Sequence, residues 1–220
     1  VDANAAKGAP TFTHIMTTTN HRPFAYPDGR TPIRSPGGRE GGVMYTDWAI
    51  GKFVEDARTR PWFDETLFVF IADHCAAIAG KTKLPVAGYR IPLILWAPGL
   101  VDPGIYEPVV SQIDLPPSLL DLMRVDGDDY FFGRSVFELP SGPERAFISN
   151  YQSLGYLRDG MLTVLSPGRK VEAFRVDPVT YESTPTPVDP TLAKEAIAYY
   201  QTASRAFRQG ALRAPPYAPH

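Results

Sequence analysis

Residues 66–75, TLFVFIADHC, constrain the fold of this chain more than any other segment. Leu67, Phe68, Val69, Phe70, Ile71 and Ala72 are apolar without a break. That is the pattern of a parallel strand buried on both faces, and so of an α/β sheet. Asp73 and His74 follow side by side. Open α/β sheets bind ligands beyond the carboxyl ends of their strands. A carboxylate and an imidazole placed there can bind a metal or move a proton. The alternative is a polar strand end in which Asp73 caps a turn.

Bulk properties narrow the class. The chain has 220 residues, enough to bury roughly 70% of the surface of the unfolded chain without a disulfide or structural metal. One cysteine excludes an internal disulfide. The net charge of −2 carries no basic stripe of the kind that binds nucleic acid. Apolar runs fall far short of the roughly 20 residues of a membrane span, and no signal peptide opens the chain. Residues 1–10 read as a loop, and the sequence reads as part of a longer protein. The 23 prolines, about twice the usual share, are spread between apolar segments as loop punctuation.

Further along, residues 11–19 are rich in β-branched and apolar types and predict a strand, with His14 packed or hydrogen-bonded inside it. Residues 23–42 predict a long irregular loop, with the pairs Gly37-Gly38 and Gly41-Gly42 as hinges. Residues 43–59 predict a helix that Arg60-Pro61 ends. Residues 90–97 predict a second buried strand, and residues 109–113 a short one. Asp114 predicts the N-cap of a helix over residues 118–123, with prolines in its first turn. After residue 140 the pattern changes to short strands at 146–151, 155–158, 161–166 and 171–176. Asp159-Gly160 is a hairpin signal and Pro167-Gly168 a turn. An amphipathic helix over residues 190–208 follows, then a proline-rich, loose tail over 213–220. The expected division is an α/β core over 1–140 and a small antiparallel sheet plus helix over 141–212, packed on that core.

Five motifs stand in a telling order: NHRPF at 20–24, YPDGR at 26–30, GVMYTD at 42–47, IADHC at 71–75 and RIPLI at 90–94. Together they resemble the sulfatase domain of the alkaline phosphatase superfamily. Within it the likeness is to the C-terminal part of lipoteichoic acid synthase and phosphoglycerol transferase-like proteins. The likeness rests on motifs over residues 11–140 and on architecture beyond them.

The resemblance implies an alkaline-phosphatase-like α/β/α domain with a mainly parallel sheet. It also implies a divalent metal (Mn, Mg or Ca), with Asp73 and His74 as two of its ligands. His21 then contacts substrate. Lys81, nine residues before Arg90, then neutralises the ester oxyanion, with Lys83 as the fallback. The family's acidic ligand and its Thr, Ser or formylglycine nucleophile lie N-terminal to the segment resembled here. The implied activity is hydrolysis or transfer of sulfate or phosphate esters, possible substrates including a lipid or glycan. The implied location is extracytoplasmic, with a membrane-anchored parent. This chain has no Cys-x-Pro-x-Arg formylglycine signature, since Ala76-Ala77 follow Cys75, so the 220 residues alone are expected to be inactive.

Plainer readings stand beside these. His21 could be a surface loop histidine, Lys81 a solvated lysine, and Arg90 the partner of a carboxylate. The glycine pairs lack the Gly-Lys-Ser/Thr ending of a phosphate loop. No Gly-x-Ser-x-Gly marks a serine esterase. Two other functions stay open: a non-catalytic sulfatase-like module that binds a glycan or lipid headgroup, and a zinc centre built from His14, His21 and His74.

Overall fold

The computed structural model describes residues 1–76, 84–126, 130–137 and 144–213. Lys81, Lys83 and most of the expected loose tail lie outside them. The chain forms two compact units, Val1–Phe70 with Ile94–Pro103 and Ile71–Leu93 with Gly104–His220.

In the first unit, the short helix α1 (Asp2–Ala5) occupies part of the stretch expected to be loop. The main helix α2 runs from Gly38 to Ala57 and starts five residues earlier than its apolar spacing predicts. Gly41 and Gly42 are therefore not hinges. They are buried helical positions where a Cβ would lie 2.0 Å from the Tyr26 hydroxyl and 2.8 Å from the Thr19 carbonyl, respectively. Tyr26 is buried there and stacks on Tyr45 at 5.2 Å. Glycine lets the preceding loop lie directly on the helix.

Residues 11–19 do not form a strand; Phe12, Ile15 and Met16 are exposed, as is His14. β-propensity describes how a residue fits a pleated, half-buried surface, and among the described residues no strand pairs with this run. Strands β1 (Phe68–Ile71) and β2 (Leu93–Trp96) pair with each other as a two-stranded sheet. Phe68 packs with Ala57 and Phe63, and Phe53, Trp62, Phe70 and Trp96 surround them. The expectation of strands buried on both faces fails: Ile71 is 38% exposed, Leu93 39% and Ile94 58%. Phe68 is buried, and Val69 and Phe70 are half-buried.

In the second unit, residues 109–113 are not a strand. They lead into a 3-10 turn, Gln112–Asp114, and helix α3 (Leu115–Leu122). Asp114 stands at the N-cap of α3, but its side chain makes no cap bond there. Instead its buried carboxylate accepts hydrogen bonds from Ser111 N (2.8 Å), Arg134 N (3.0 Å) and Arg145 Nη2 (3.2 Å).

Five antiparallel strands follow in sequence order: β3 (Arg145–Ser149), β4 (Leu154–Arg158), β5 (Met161–Ser166), β6 (Lys170–Val176) and β7 (Ser183–Thr186). The turn between β4 and β5 is the expected one, with Asp159 at φ 47° and Gly160 at φ 76°. Both values are positive, as a type I′ turn requires. Period-two alternation splits the sheet's faces. Ile148, Leu157, Leu162 and Val164 pack on Leu84, Val86 and Val176. Phe147 and Tyr156 face the last helix, α4 (Pro190–Gln209), through Tyr199. Asp189 caps α4 by accepting from Thr191 N and Leu192 N, and Gly210 ends it at φ 70°. Both ends match standard cap chemistry. Tyr156 Oη donates to Glu195, which also pairs with Arg158, and Tyr200 Oη donates to Gly155 O. Burial pushes both tyrosine hydroxyls up to about 12.

Candidate metal centre

The corner after β1 is built by backbone bonds. Ala72 N donates to Pro92 O at 3.3 Å. The Gln112 side-chain amide donates to the carbonyls of Ala72 and Asp73, both at 3.3 Å. The Cys75 thiol donates to Arg90 O. The turn is thus tied to segments 15 to 40 residues away in sequence.

Within the corner, Asp73 Oδ1 accepts from His74 N at 2.9 Å. This local bond turns the carboxylate back over its own peptide. The second oxygen, Oδ2, lies 3.5 Å from His74 Nε2. His74 Nδ1 is 2.9 Å from the Cys75 carbonyl. A carbonyl only accepts, so Nδ1 carries a proton, and in the neutral form of the ring that tautomer leaves Nε2 as the metal-binding nitrogen. Both side chains are open to solvent, His74 at 73% and Asp73 at 85%.

This donor set fits a shared cation. Two neighbouring donors on one six-coordinate ion stand about 3.0 Å apart at Mg distances of about 2.1 Å and about 3.4 Å apart at Ca distances of about 2.4 Å, against the 3.5 Å between Oδ2 and Nε2. A histidine whose other nitrogen is held by a carbonyl is the usual arrangement of a metal ligand. The two residues do not complete a site: among the described residues no group of three or more His, Cys, Asp or Glu side chains could hold an ion. His14 and His21 lie in the first unit and His74 in the second.

His21 lies in the first unit, on a tight turn. Its amide donates to Thr18 O at 3.0 Å, its carbonyl accepts from Phe24 N at 2.8 Å, and its Nδ1 is 3.1 Å from Arg22 O. Thr46 of α2 donates to Asn20 Oδ1 at 3.1 Å and pins the turn to the helix. His21 is exposed. Arg90 stands over the ring of Tyr181 at 4.3 Å, a cation–π contact, and among the described residues no carboxylate pairs with it. Gln112 escaped the sequence reading. An amide that begins a 3-10 turn carries no local sign of bonding to a strand end 40 residues away.

Comparison with known proteins agrees with this architecture. The family model for Sulfatase matches residues 1–125. Lipoteichoic acid synthase 2 of Bacillus subtilis (strain 168) is 26% identical over 149 residues, 57% of this chain and 22% of the relative. Lipoteichoic acid synthase of Staphylococcus aureus (strain USA300) is 23% identical over 154 residues, 59% of this chain and 23% of the relative. Among solved structures, a protein of the alkaline phosphatase superfamily from Vibrio parahaemolyticus superposes with a TM-score of 0.83 at 32% identity, covering 90% of this chain and 49% of that one. The chain thus spans between a fifth and a quarter of these curated relatives and about half of the solved structure.

Proposed function

This chain belongs to the sulfatase family, and from that premise we propose that it forms part of a metal-dependent enzyme that hydrolyses or transfers phosphate or sulfate esters. The observation that carries the proposal is the Asp73–His74 pair, with a carboxylate oxygen and an imidazole nitrogen 3.5 Å apart. Its kinship with lipoteichoic acid synthases favours a phosphoglycerol-type lipid or glycan substrate. It also favours an extracytoplasmic domain of a membrane-anchored parent. No described helix is long and apolar enough to cross a membrane.

In this reading Asp73 Oδ2 and His74 Nε2 hold a divalent ion, Mn, Mg or Ca. When bound, such an ion lowers the pKa of the attacking oxygen and screens the charge of the ester. Asp73 supplies negative charge. His74, kept in one tautomer by the Cys75 carbonyl, supplies a neutral nitrogen donor. His21 offers a ring nitrogen to an ester oxygen, and Lys81 neutralises charge on the transferring group. The nucleophile and the acidic ligand that completes the site come from residues beyond these 220. That proposal draws support from the likeness to lipoteichoic acid synthase 2, of which this chain spans 22%.

The test is activity of the full-length gene product on glycerophosphate diesters and on aryl sulfates, with and without EDTA. The expected result is turnover of the phosphodiester that EDTA abolishes and Mn restores. Metal-independent turnover overturns the proposal. A second reading, a module that binds a headgroup without turnover, rests on the same incomplete ligand set. It predicts binding of the diester with no product.

A further inference from the structure

We infer that Gln112 is a positioning residue that sets the orientation of the Asp73–His74 pair. The inference rests on the metal reading of that pair. Strand β1 ends at Ile71, so the carbonyls of Ala72 and Asp73 lie past the paired strand and need other donors. Gln112 Nε2 supplies them, at 3.3 Å to each. A primary amide has two N–H groups, one for each carbonyl, and both partners only accept, which fixes which end of the amide faces the corner.

The second of these bonds reaches the functional pair itself. The carbonyl of Asp73 and the N–H of His74 belong to one planar peptide. Gln112 holds its oxygen, and its N–H donates to Asp73 Oδ1 at 2.9 Å. The same plane therefore aims the Asp73 carboxylate and sets the backbone from which the His74 ring departs. Losing the Gln112 bond frees that plane, and with it the 3.5 Å spacing of the two donor atoms.

Gln112 is itself firmly held, although its side chain is on the surface. It lies between Ser111 and Asp114, both buried. These two form a reciprocal capping box, with Ser111 N donating to Asp114 Oδ2 at 2.8 Å. Ser111 Oγ accepts from Phe147 N at 3.2 Å, and Asp114 Oδ1 from Arg145 at 3.2 Å, which ties the turn to β3. An exposed glutamine between two buried anchors, with its amide committed to a remote strand end, is a support for that end.

The test titrates Mn²⁺ onto the full-length protein, wild type against Gln112→Met, Gln112→Glu, Asp73→Ala and His74→Ala. Methionine keeps the shape and removes the donor. Glutamate sets an acceptor against the two carbonyls. Both are expected to weaken Mn²⁺ binding by about tenfold to a hundredfold, the usual range for a lost supporting hydrogen bond. The metal-free thermal midpoint should stay at the wild-type value, because the side chain is exposed. Wild-type Mn²⁺ affinity in either Gln112 variant, with binding lost in Asp73→Ala, overturns the role of Gln112 and leaves the metal site standing. Wild-type affinity in Asp73→Ala and His74→Ala removes the metal reading and this inference with it.

Discussion

Replacing Asp114 by alanine attacks the support beneath the candidate centre at its most buried point. The Asp114 side chain is 2% exposed and that of Arg145 5%, with 3.2 Å between them. Alanine strands the guanidinium, which stands over Phe147 at 5.3 Å and Tyr199 at 5.6 Å with no other carboxylate among its described contacts. It also removes the acceptor of Ser111 N and Arg134 N. Breaking a buried pair from one side costs about 3–5 kcal/mol. Orphaned backbone donors raise that by about 1–3 kcal/mol each unless the turn relaxes toward water. Taking about 4 kcal/mol after relaxation, the midpoint falls by about 8–16 °C for a chain of this size. Arg145→Met is milder, because the carboxylate keeps two backbone donors. The double variant should be more stable than the sum of the singles implies, by at least about 1 kcal/mol, since its guanidinium is no longer stranded. Urea unfolding followed by tryptophan fluorescence measures all four corners of the cycle. Additivity within about 0.5 kcal/mol, or an Asp114→Ala midpoint within about 2 °C of wild type, would show that the buried pair is not coupled in this way.

Two further outcomes are expected. Asp189→Ala removes the cap of α4 and should cost about 1 kcal/mol, a drop of about 2–4 °C in thermal midpoint, visible by circular dichroism. Glu195 is held below its usual 4.5, first by the Arg158 guanidinium and then by the Tyr156 hydroxyl. A depressed folded value means stability that is present above the unfolded value and lost as pH falls through the folded one. Wild type should therefore lose more stability below pH 4.5 than Glu195→Gln does. Parallel acid profiles in urea contradict this.

What could be read from sequence was what local chemistry decides. The β4–β5 hairpin was legible because Asp159-Gly160 is a turn signal flanked by alternating residues, and α4 because Pro190 and an amphipathic repeat define it. Strand β7 was missed because Ser183-Thr184-Pro185-Thr186 is polar and contains proline, which an edge strand tolerates and a propensity reading rejects. Residues 11–19 show the reverse failure, with strand-like composition and no pairing partner among the described residues. At the site, Asp73 and His74 were legible as a pair because they are adjacent. Their support was not. Gln112 reaches across 39 and 40 residues, and Asp114 answers Arg145 across 31. Asp114 looked like the cap of its own helix because only the local half of its surroundings is written next to it.

The proposed function depends on a divalent metal held by Asp73 and His74. Its most direct test is the metal content of the full-length protein after dialysis, compared with Asp73→Ala and His74→Ala. A bound divalent ion is expected in wild type and its loss in both variants, with the fold retained because both side chains are exposed. Unchanged metal content in folded Asp73→Ala contradicts it.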